Sequence, residues 1–318
     1  MVATRARVVQ FGKETTWGTA VAATVRLMGL VEASFQIEDV TELLPDLGRF
    51  APSPNALQLQ QSASGQIQVY GTYEDLPYFL DHIFGIATPS GSDPYTYDYA
   101  APLTTAPTPR KSTIEYGTAS ASYEMSGGLL KTLRIAGAAG RYWEVSSDVI
   151  GEAIAATSLT GSLNDRAVNP IRMADTVCKI DAWAGTIGST AGGKLVSFEA
   201  AIDTMRHLKF FAGSLTPTDF GEDKWTGTLQ TVLEFDSTAK AYVDALLSGK
   251  VQRQIESEAI NGTNVATLQF AGTLIDGVPL FADRDGNITV ELNWEGTYNS
   301  TLGNWLKASV TNGVSTLA

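Results

Sequence analysis

The alternation of apolar and polar residues predicts short β-strands along most of the chain, with one short helix in each half. Residues 64–70 and 226–234 alternate with a period of two, which is typical of a strand with one buried face. After each strand, apolar residues recur at i, i+3, i+4, i+7 and i+8, the spacing of an amphipathic helix. The two apolar stripes are Leu76, Phe79, Leu80, Ile83, Phe84 and Ala239, Tyr242, Val243, Leu246, Leu247.

The ends of both helices are also predicted by local residues. Asp75 in the first half, and Asp236 or Ser237 in the second, can accept hydrogen bonds from the first free amides of a helix. Gly85 and Gly249 follow the stripes and suit the left-handed position at which helices often end. The order of strand, cap, helix and glycine therefore occurs twice.

The flanking segments extend this internal repeat. Residues 28–40 and 191–205 both alternate and end near acids, and residues 142–151 parallel residues 288–296. In the latter pair, the matched positions are Trp143, Val145, Ser147, Val149, Gly151 and Ile288, Val290, Leu292, Trp294, Gly296. We interpret the chain as a tandem duplication.

The predicted fold class is α+β and mainly β, with each unit a β-sandwich or half-barrel that carries one short packed helix. The expected divisions are an N-terminal arm (1–25), a first domain (26–165) and a second domain (166–318). The boundary lies near residues 160–176, where turn residues and Pro170 cluster.

A long segment, residues 86–111, interrupts the first domain and is rich in Pro, Tyr and Thr. Loops of this length inside a compact domain are usually functional or held by a partner. Its tyrosines indicate contact with another subunit, and an exposed loop is the alternative.

Composition narrows the function classes. The 318 residues carry a formal net charge of −12 and are 44% hydrophobic, so the chain can build a core and is not a basic nucleic-acid reader. Acidic character still permits DNA as a non-specific cargo. The single Cys178 excludes an internal disulfide framework, and no apolar run reaches the length of a membrane span. The first residues lack the apolar core of a signal peptide, so we expect a soluble protein made in a cytoplasm.

Two segments resemble chemical motifs but fit turns better. Gly188–Lys194 has the spacing of a phosphate-binding loop, yet Leu195 replaces the Ser or Thr that binds Mg²⁺ and a strand pattern follows. Asp283, Asp285 and Asn287 resemble the start of a calcium loop, but Asp285-Gly286 is a common hairpin turn. Both segments are predicted to be turns.

No catalytic, cofactor-binding or metal-ligating residue is predicted, and no cofactor. His82 lies off the apolar stripe of its helix and is expected at the surface or at an interface. His207 lies in a turn-like stretch without a nearby Ser or Cys nucleophile. The sequence therefore does not predict an enzyme.

Residues 12–27 resemble the N-terminal signature of tail tube (major tail) proteins of long non-contractile tailed bacteriophages. The matching positions are Glu14, Thr15, Trp17, Gly18, Thr19 and Ala20. Residues 127–151 are similar to a strand pair of that family, and the repeated strand-to-helix unit also fits. The resemblance extends from residue 12 to about residue 300.

The resemblance implies a structural virion protein, made in the host bacterial cytoplasm, whose rings stack into a hollow tube for DNA ejection. A chain with two domain copies is expected to form a trimer with pseudo-six-fold symmetry, and a hexamer is the alternative. The acid excess is expected to line the lumen, so that double-stranded DNA slides without binding. The other implied partners are the tape measure, terminator and distal tail proteins, with no membrane.

Two other readings remain open. A distal tail or tail terminator protein has a related fold but forms one ring that does not polymerise. A β-rich carbohydrate-active enzyme would use paired carboxylates and aromatic side chains that stack on sugars. The candidate aromatic residues are Trp183, Trp225, Trp294 and Trp305.

Overall fold

The computed structural model describes residues 6–44, 48, 50–52, 55–163, 165–275, 282–284 and 286–318. Within these ranges the fold is mainly β with two α-helices, one in each half, which confirms the predicted fold class. Both helices follow the strands identified from the alternating pattern. The sheets do not close on themselves.

The elements of the first half run from Val8 to Thr157. In chain order they are β1 (Val8–Lys13), β2 (Val25–Arg26), β3 (Leu30–Leu43), β4 (Ala56–Tyr70), α1 (Leu76–Phe84), β5 (Ser90–Gly91), β6 (Tyr95–Ala100), β7 (Ser112–Thr118), β8 (Ala121–Leu130), β9 (Thr132–Ala138), β10 (Glu144–Gly151) and β11 (Ala153–Thr157).

The second half begins with a short 3₁₀ helix, Met173–Asp175. Its other elements are β12 (Thr176–Ala182), β13 (Leu195–Asp203), β14 (His207–Lys209), β15 (Asp219–Gly221), β16 (Thr226–Glu234), α2 (Ser237–Leu247), β17 (Gln252–Asn261), β18 (Asn264–Ile275), β19 (Ala282–Arg284), β20 (Asn287–Gly296) and β21 (Leu306–Asn312).

The strand pairs of the first half recur in the second in the same chain order. One layer of the first half has the order β3-β4-β10-β9, and the other has β1-β7-β8-β11. The second half pairs β13 with β16 and β16 with β20, and in its other layer β12-β17-β18-β21. Both halves therefore share one pairing pattern, although their sequences share only patterning and a few residues.

The structure matches β10 to β20 with a shift of two residues relative to the sequence-based match of residues 142–151 with 288–296. Ser147 pairs with Ile67, and Trp294 pairs with Leu229. Since Ile67 and Leu229 follow the matched glycines Gly65 and Gly227, Ser147 corresponds to Trp294 and not to Leu292. A shift by two keeps every side chain on the same face, so alternation alone does not detect it.

The two halves are joined by strand pairing at two places. β9 of the first half pairs antiparallel with β13 of the second over residues 132–138 and 197–203. β6 pairs with β21, so the first half also adds a strand to the outer layer of the second. The segment 86–111 is therefore not a simple loop. Tyr97 and Tyr99 are buried, and their hydroxyls donate to Val314 O of the second half and to Asp81 of α1.

The expected N-terminal arm also becomes part of the fold from Val8 onward. β1 pairs with β7 along its whole length, and Val9 and Phe11 are fully buried. The apolar alternation of these residues was too short to distinguish a sheet strand from an arm. Residues 1–5 lie outside the described part of the chain.

The segment that connects the two halves is held against the first half by hydrogen bonds and an ion pair. The Asn169 amide nitrogens donate to the Glu74 carboxylate at 2.7 Å, and Arg166 pairs with Asp75. Trp143 N donates to Ile171 O at 2.8 Å. These contacts hold the predicted boundary region, in which residue 164 is not described, against the first half.

Helix α1 is buried on all sides, whereas α2 lies at the surface. All five residues of the first stripe are buried, but in the second stripe Leu247 is 86% exposed. Asp236 caps α2 by accepting from the amides of Thr238 and Ala239, both at 2.9 Å. Asp75 does not cap α1, because its carboxylate accepts instead from Met28 N and Arg166.

His82 was expected at the surface or at an interface, but it lies in the core of the protein. Its Nδ1 donates to Tyr78 O at 2.7 Å, so its Nε2 accepts from the Ser112 hydroxyl at 2.9 Å. Packing of α1 against both halves leaves no solvent-facing side for it. Burial, assisted by the charge of Arg110, lowers the pKa of His82 to about 3.

This buried imidazole predicts acid sensitivity. Its pKa in the unfolded chain is about 6.5, so below that pH the unfolded state binds a proton that the folded state rejects. Acidification from pH 7 to 4.5 is expected to remove about 2–3 kcal/mol of stability through His82. Urea unfolding of the monomer at both values, compared with His82→Gln, measures this. Equal losses in the two proteins would contradict the assignment.

Candidate functional site: the polar sheet face and its free edges

One sheet runs through both halves of the chain. Its strand order is β3-β4-β10-β9-β13-β16-β20, and each adjacent pair is antiparallel. One face packs on the core through alternate residues such as Ile67, Val145, Ile135, Ala200 and Leu229. The alternate set points away from the core, and we call it the polar sheet face.

The polar sheet face is strongly acidic. In the described residues of these strands, its charged side chains are Glu32, Glu38, Glu144, Asp148, Glu199, Asp203, Glu234, Glu291, Glu295 and one base, Arg134. Most other positions on this face carry Gln, Ser, Thr or Asn. Much of the protein's negative charge therefore lies on this one face.

The one arginine of this face lies where the two halves meet. Arg134 on β9 holds Glu199 on β13 with Nε–Oε1 and Nη2–Oε2 distances of 2.5 and 2.6 Å. This two-bond contact raises the pKa of Arg134. Since both side chains are partly exposed, the pair aligns the junction more than it stabilises the fold.

Other acids of the face are held by neutral hydrogen-bond donors. Asp148 accepts from the Thr132 hydroxyl at 2.9 Å, and Glu38 accepts from Ser64 and Gln36. The last two bonds lower the pKa of Glu38. Hydrogen bonds of this kind favour the charged form of Glu38 without adding a positive charge to the face.

Strand β3 forms one end of the sheet, and its outer edge has no partner strand among the described residues. Among the described residues, β3 pairs with β4 alone over residues 30–43. At the other end of the sheet, β20 pairs with residues 272–275 of β18 and with β19. Among the described residues, β19 pairs only with β20. An unpaired strand edge exposes backbone groups that pair readily with another chain.

The β3–β4 hairpin extends beyond the packed layers. In its described part, apolar residues on both strands are exposed: Ile37, Val40, Leu43, Leu57 and Leu59. Several exposed apolar residues on one hairpin are typical of an interaction surface.

The residues of the N-terminal signature form hydrogen bonds with each other and with β7 and β8. The Glu14 carboxylate accepts from Gly18 N and Gly127 N, both at 2.9 Å, and from the Thr113 hydroxyl at 2.8 Å. Trp17 donates from Nε1 to Gly127 O at 2.8 Å. Gly18 has a φ of +78°, which favours glycine there. These contacts fix the N-terminal segment onto β8.

The sequence profile of the phage tail tube protein family matches residues 4–296. The chain belongs to this family. It is therefore a structural protein of the phage tail, a virion component, and not a member of an enzyme family. No curated protein matches the chain. The described residues form no helix that is long and apolar enough to cross a membrane.

The residues that resembled chemical motifs have structural contacts in this tail tube protein. In the glycine-rich segment, Asp181 accepts from Gly188 N, Ser189 N and Thr190 N at 2.7–3.2 Å, which fixes the turn. Gly286 N donates to Asp283 in the β19–β20 hairpin, as predicted, while Asp285 lies outside the described residues.

Cys178 and His207 lie on different strands, β12 and β14. Cys178 is buried, which raises the pKa of its thiol to about 12. His207 is exposed on β14, a short strand paired with β15. The structure does not bring these residues together into one site.

The four tryptophans do not form one aromatic platform. Trp294 is buried and donates to the Thr231 hydroxyl, and Trp183 lies near the Asn299 turn. Trp225 and Trp305 line an open groove of about 850 Å³. Glu222 beside it is engaged by Arg206 at 2.5 Å and accepts from Trp225 Nε1 at 3.3 Å.

Two arginines at the junction carried no signal in the sequence. Arg134 contacts Glu199, and Arg206 contacts three carbonyl groups of the first half. Each contact joins residues distant in the chain. Finding them requires the pairing of β9 with β13, which no local pattern encodes.

Proposed function

We propose that this tail tube protein self-assembles into rings that stack into the hollow tube through which genomic DNA is ejected. The observation that carries the proposal is the antiparallel β9–β13 junction. It joins two similarly paired halves within one sheet and leaves an unpaired β3 at the outer end. The same kind of junction between copies continues the sheet and closes it into a barrel.

The proposed ring is a trimer with pseudo-six-fold symmetry, in which each half acts as one tail-tube-like domain. With four sheet strands per half, the barrel has about 24 strands. A spacing of about 4.8 Å and a tilt of about 40° give a backbone diameter of roughly 48 Å. After side chains are included, the opening still exceeds the width of a DNA duplex.

In such a ring the polar sheet face lines the lumen. Its carboxylates repel DNA phosphates, which favours sliding over binding. The exposed apolar residues of the β3–β4 hairpin are available for contacts between subunits or rings. Tape measure, terminator and distal tail proteins are the proposed partners at the ends of the tube.

Electron microscopy of the purified protein over a concentration series tests this function. Hollow tubes with three chains per ring are the expected result. Six chains per ring would retain the function and refute the trimer. Closed rings that never stack would indicate a tail adaptor, and persistent monomers would contradict assembly altogether.

A further inference from the structure

A shallow apolar groove lies beside the unpaired β3 strand of the first half. Its apolar lining consists mainly of Phe35, Ile37, Ile114, Tyr116, Tyr123 and Met125, and its volume is about 390 Å³. Ile37 and Tyr123 are more than half exposed. The groove lies between β3 of one layer and β7 and β8 of the other.

The corresponding side of the second half is covered within the same chain. Helix α1 contacts β6 and β21 there, and the Phe84 ring lies 5.7 Å from the Trp225 ring. Arg206 donates to the last carbonyls of α1, including Ile83 O at 2.8 Å. The helix of one half therefore covers the open side of the half that follows it in the sheet.

Helix α2 has the same place in the second half that α1 has in the first. Both helices follow equivalent strands, β4 and β16, and end before Gly85 and Gly249. In sequence position, Leu247 of α2 corresponds to Phe84 of α1, which is buried. Leu247 itself, at the end of α2, is 86% exposed.

The charges near the two surfaces are complementary. Lys250 is exposed just after α2, while Asp39 is exposed on β3, on the same side of the strand as Ile37. Asp39 and Arg206 correspond in sequence position, because Phe35 pairs with Gly65 as Ile202 pairs with Gly227 and each charged residue lies four positions further on. β13 ends at Asp203, whereas β3 continues to Leu43. A contact between copies at these two surfaces would have a carboxylate facing a lysine where the halves have an arginine at the helix end.

We propose that α2 of one copy places Leu247 in the apolar groove of a second copy, with Lys250 beside Asp39. This inference rests on the proposed ring and names its lateral contact. It gives Leu247 the apolar role that Phe84 has between the halves, and it gives Lys250 and Asp39 the polar role of Arg206 at the helix end.

Paired cysteines test the contact in assembled protein. Leu247→Cys with Tyr123→Cys is expected to give covalent dimers and trimers with a short bismaleimide. The control, Leu247→Cys with Ile260→Cys, has an equally exposed partner position on β17 and is expected to give none. Cys178 is buried and does not compete. Cross-linking in both pairs, or in neither, would overturn the proposal.

Charge reversal gives a second, independent test. Leu247→Asp and Lys250→Glu are expected to raise the concentration needed for ring formation about tenfold or more, and Asp39→Lys is expected to restore assembly of Lys250→Glu. All three positions are exposed, so the monomer fold is retained. Normal rings in Leu247→Asp would refute this contact but leave the tube intact. Absence of rings in the unmodified protein would instead refute the proposed function.

Discussion

Arg206→Met is expected to destabilise the monomer by about 3–5 kcal/mol, because the substitution leaves buried polar groups without a partner. Arg206 is 1% exposed and links the second half to the first. Its guanidinium donates to Leu130 O at 2.7 Å and Ile83 O at 2.8 Å, and it pairs with Glu222 at 2.5 Å. Urea unfolding of the monomer measures the loss.

Arg134→Met is the matched control. Arg134 also joins the two halves, through Glu199, but both side chains are partly exposed. Its loss is expected to cost at most about 1 kcal/mol. Similar costs for the two substitutions would show that burial does not distinguish these contacts and would contradict the role of Arg206.

Ile37→Pro is expected to abolish ring formation while the monomer stays folded. The Gln61 amide on β4 donates to Leu215 O and therefore points away from β3. Asp39 lies directly opposite Gln61, so the backbone N–H and C=O of Asp39 point away from β4 in turn. Alternation along an antiparallel pair then directs the Ile37 amide to the unpaired side of β3. Proline removes this donor and obstructs an approaching strand, yet it is tolerated on an edge strand.

Ile37→Val is the control, because it shortens the side chain but retains the amide. Circular dichroism and urea unfolding are expected to show a folded monomer for both variants. Electron microscopy is expected to show rings only for Ile37→Val. Rings formed by Ile37→Pro would exclude the β3 edge from assembly.

Local features of the fold were predictable from the sequence because local interactions cause them. Period-two alternation identified β4 and β16, and the apolar stripes identified α1 and α2. The Asp236 cap was predictable because the side chain and the amides that it accepts from lie within three residues. The same reasoning failed for Asp75, whose carboxylate is occupied by the distant Met28 and Arg166.

Features that depend on a second element were not predictable. Residues 95–100 form a strand because β21 offers an edge, although they are about 200 positions apart in the chain. His82 is buried because α1 packs between two halves, which its helical face alone does not reveal. The junction arginines have the same origin.

The sequence by itself determined a mainly β chain with a repeated strand-to-helix unit and an acidic character, since period, caps and composition are local or additive properties. The tertiary structure decided which strands meet, in which register, and which acids share the polar sheet face. The physical reason is that alternation separates the two faces of one strand but does not specify its neighbour. Partner and register are selected by packing across the whole sheet.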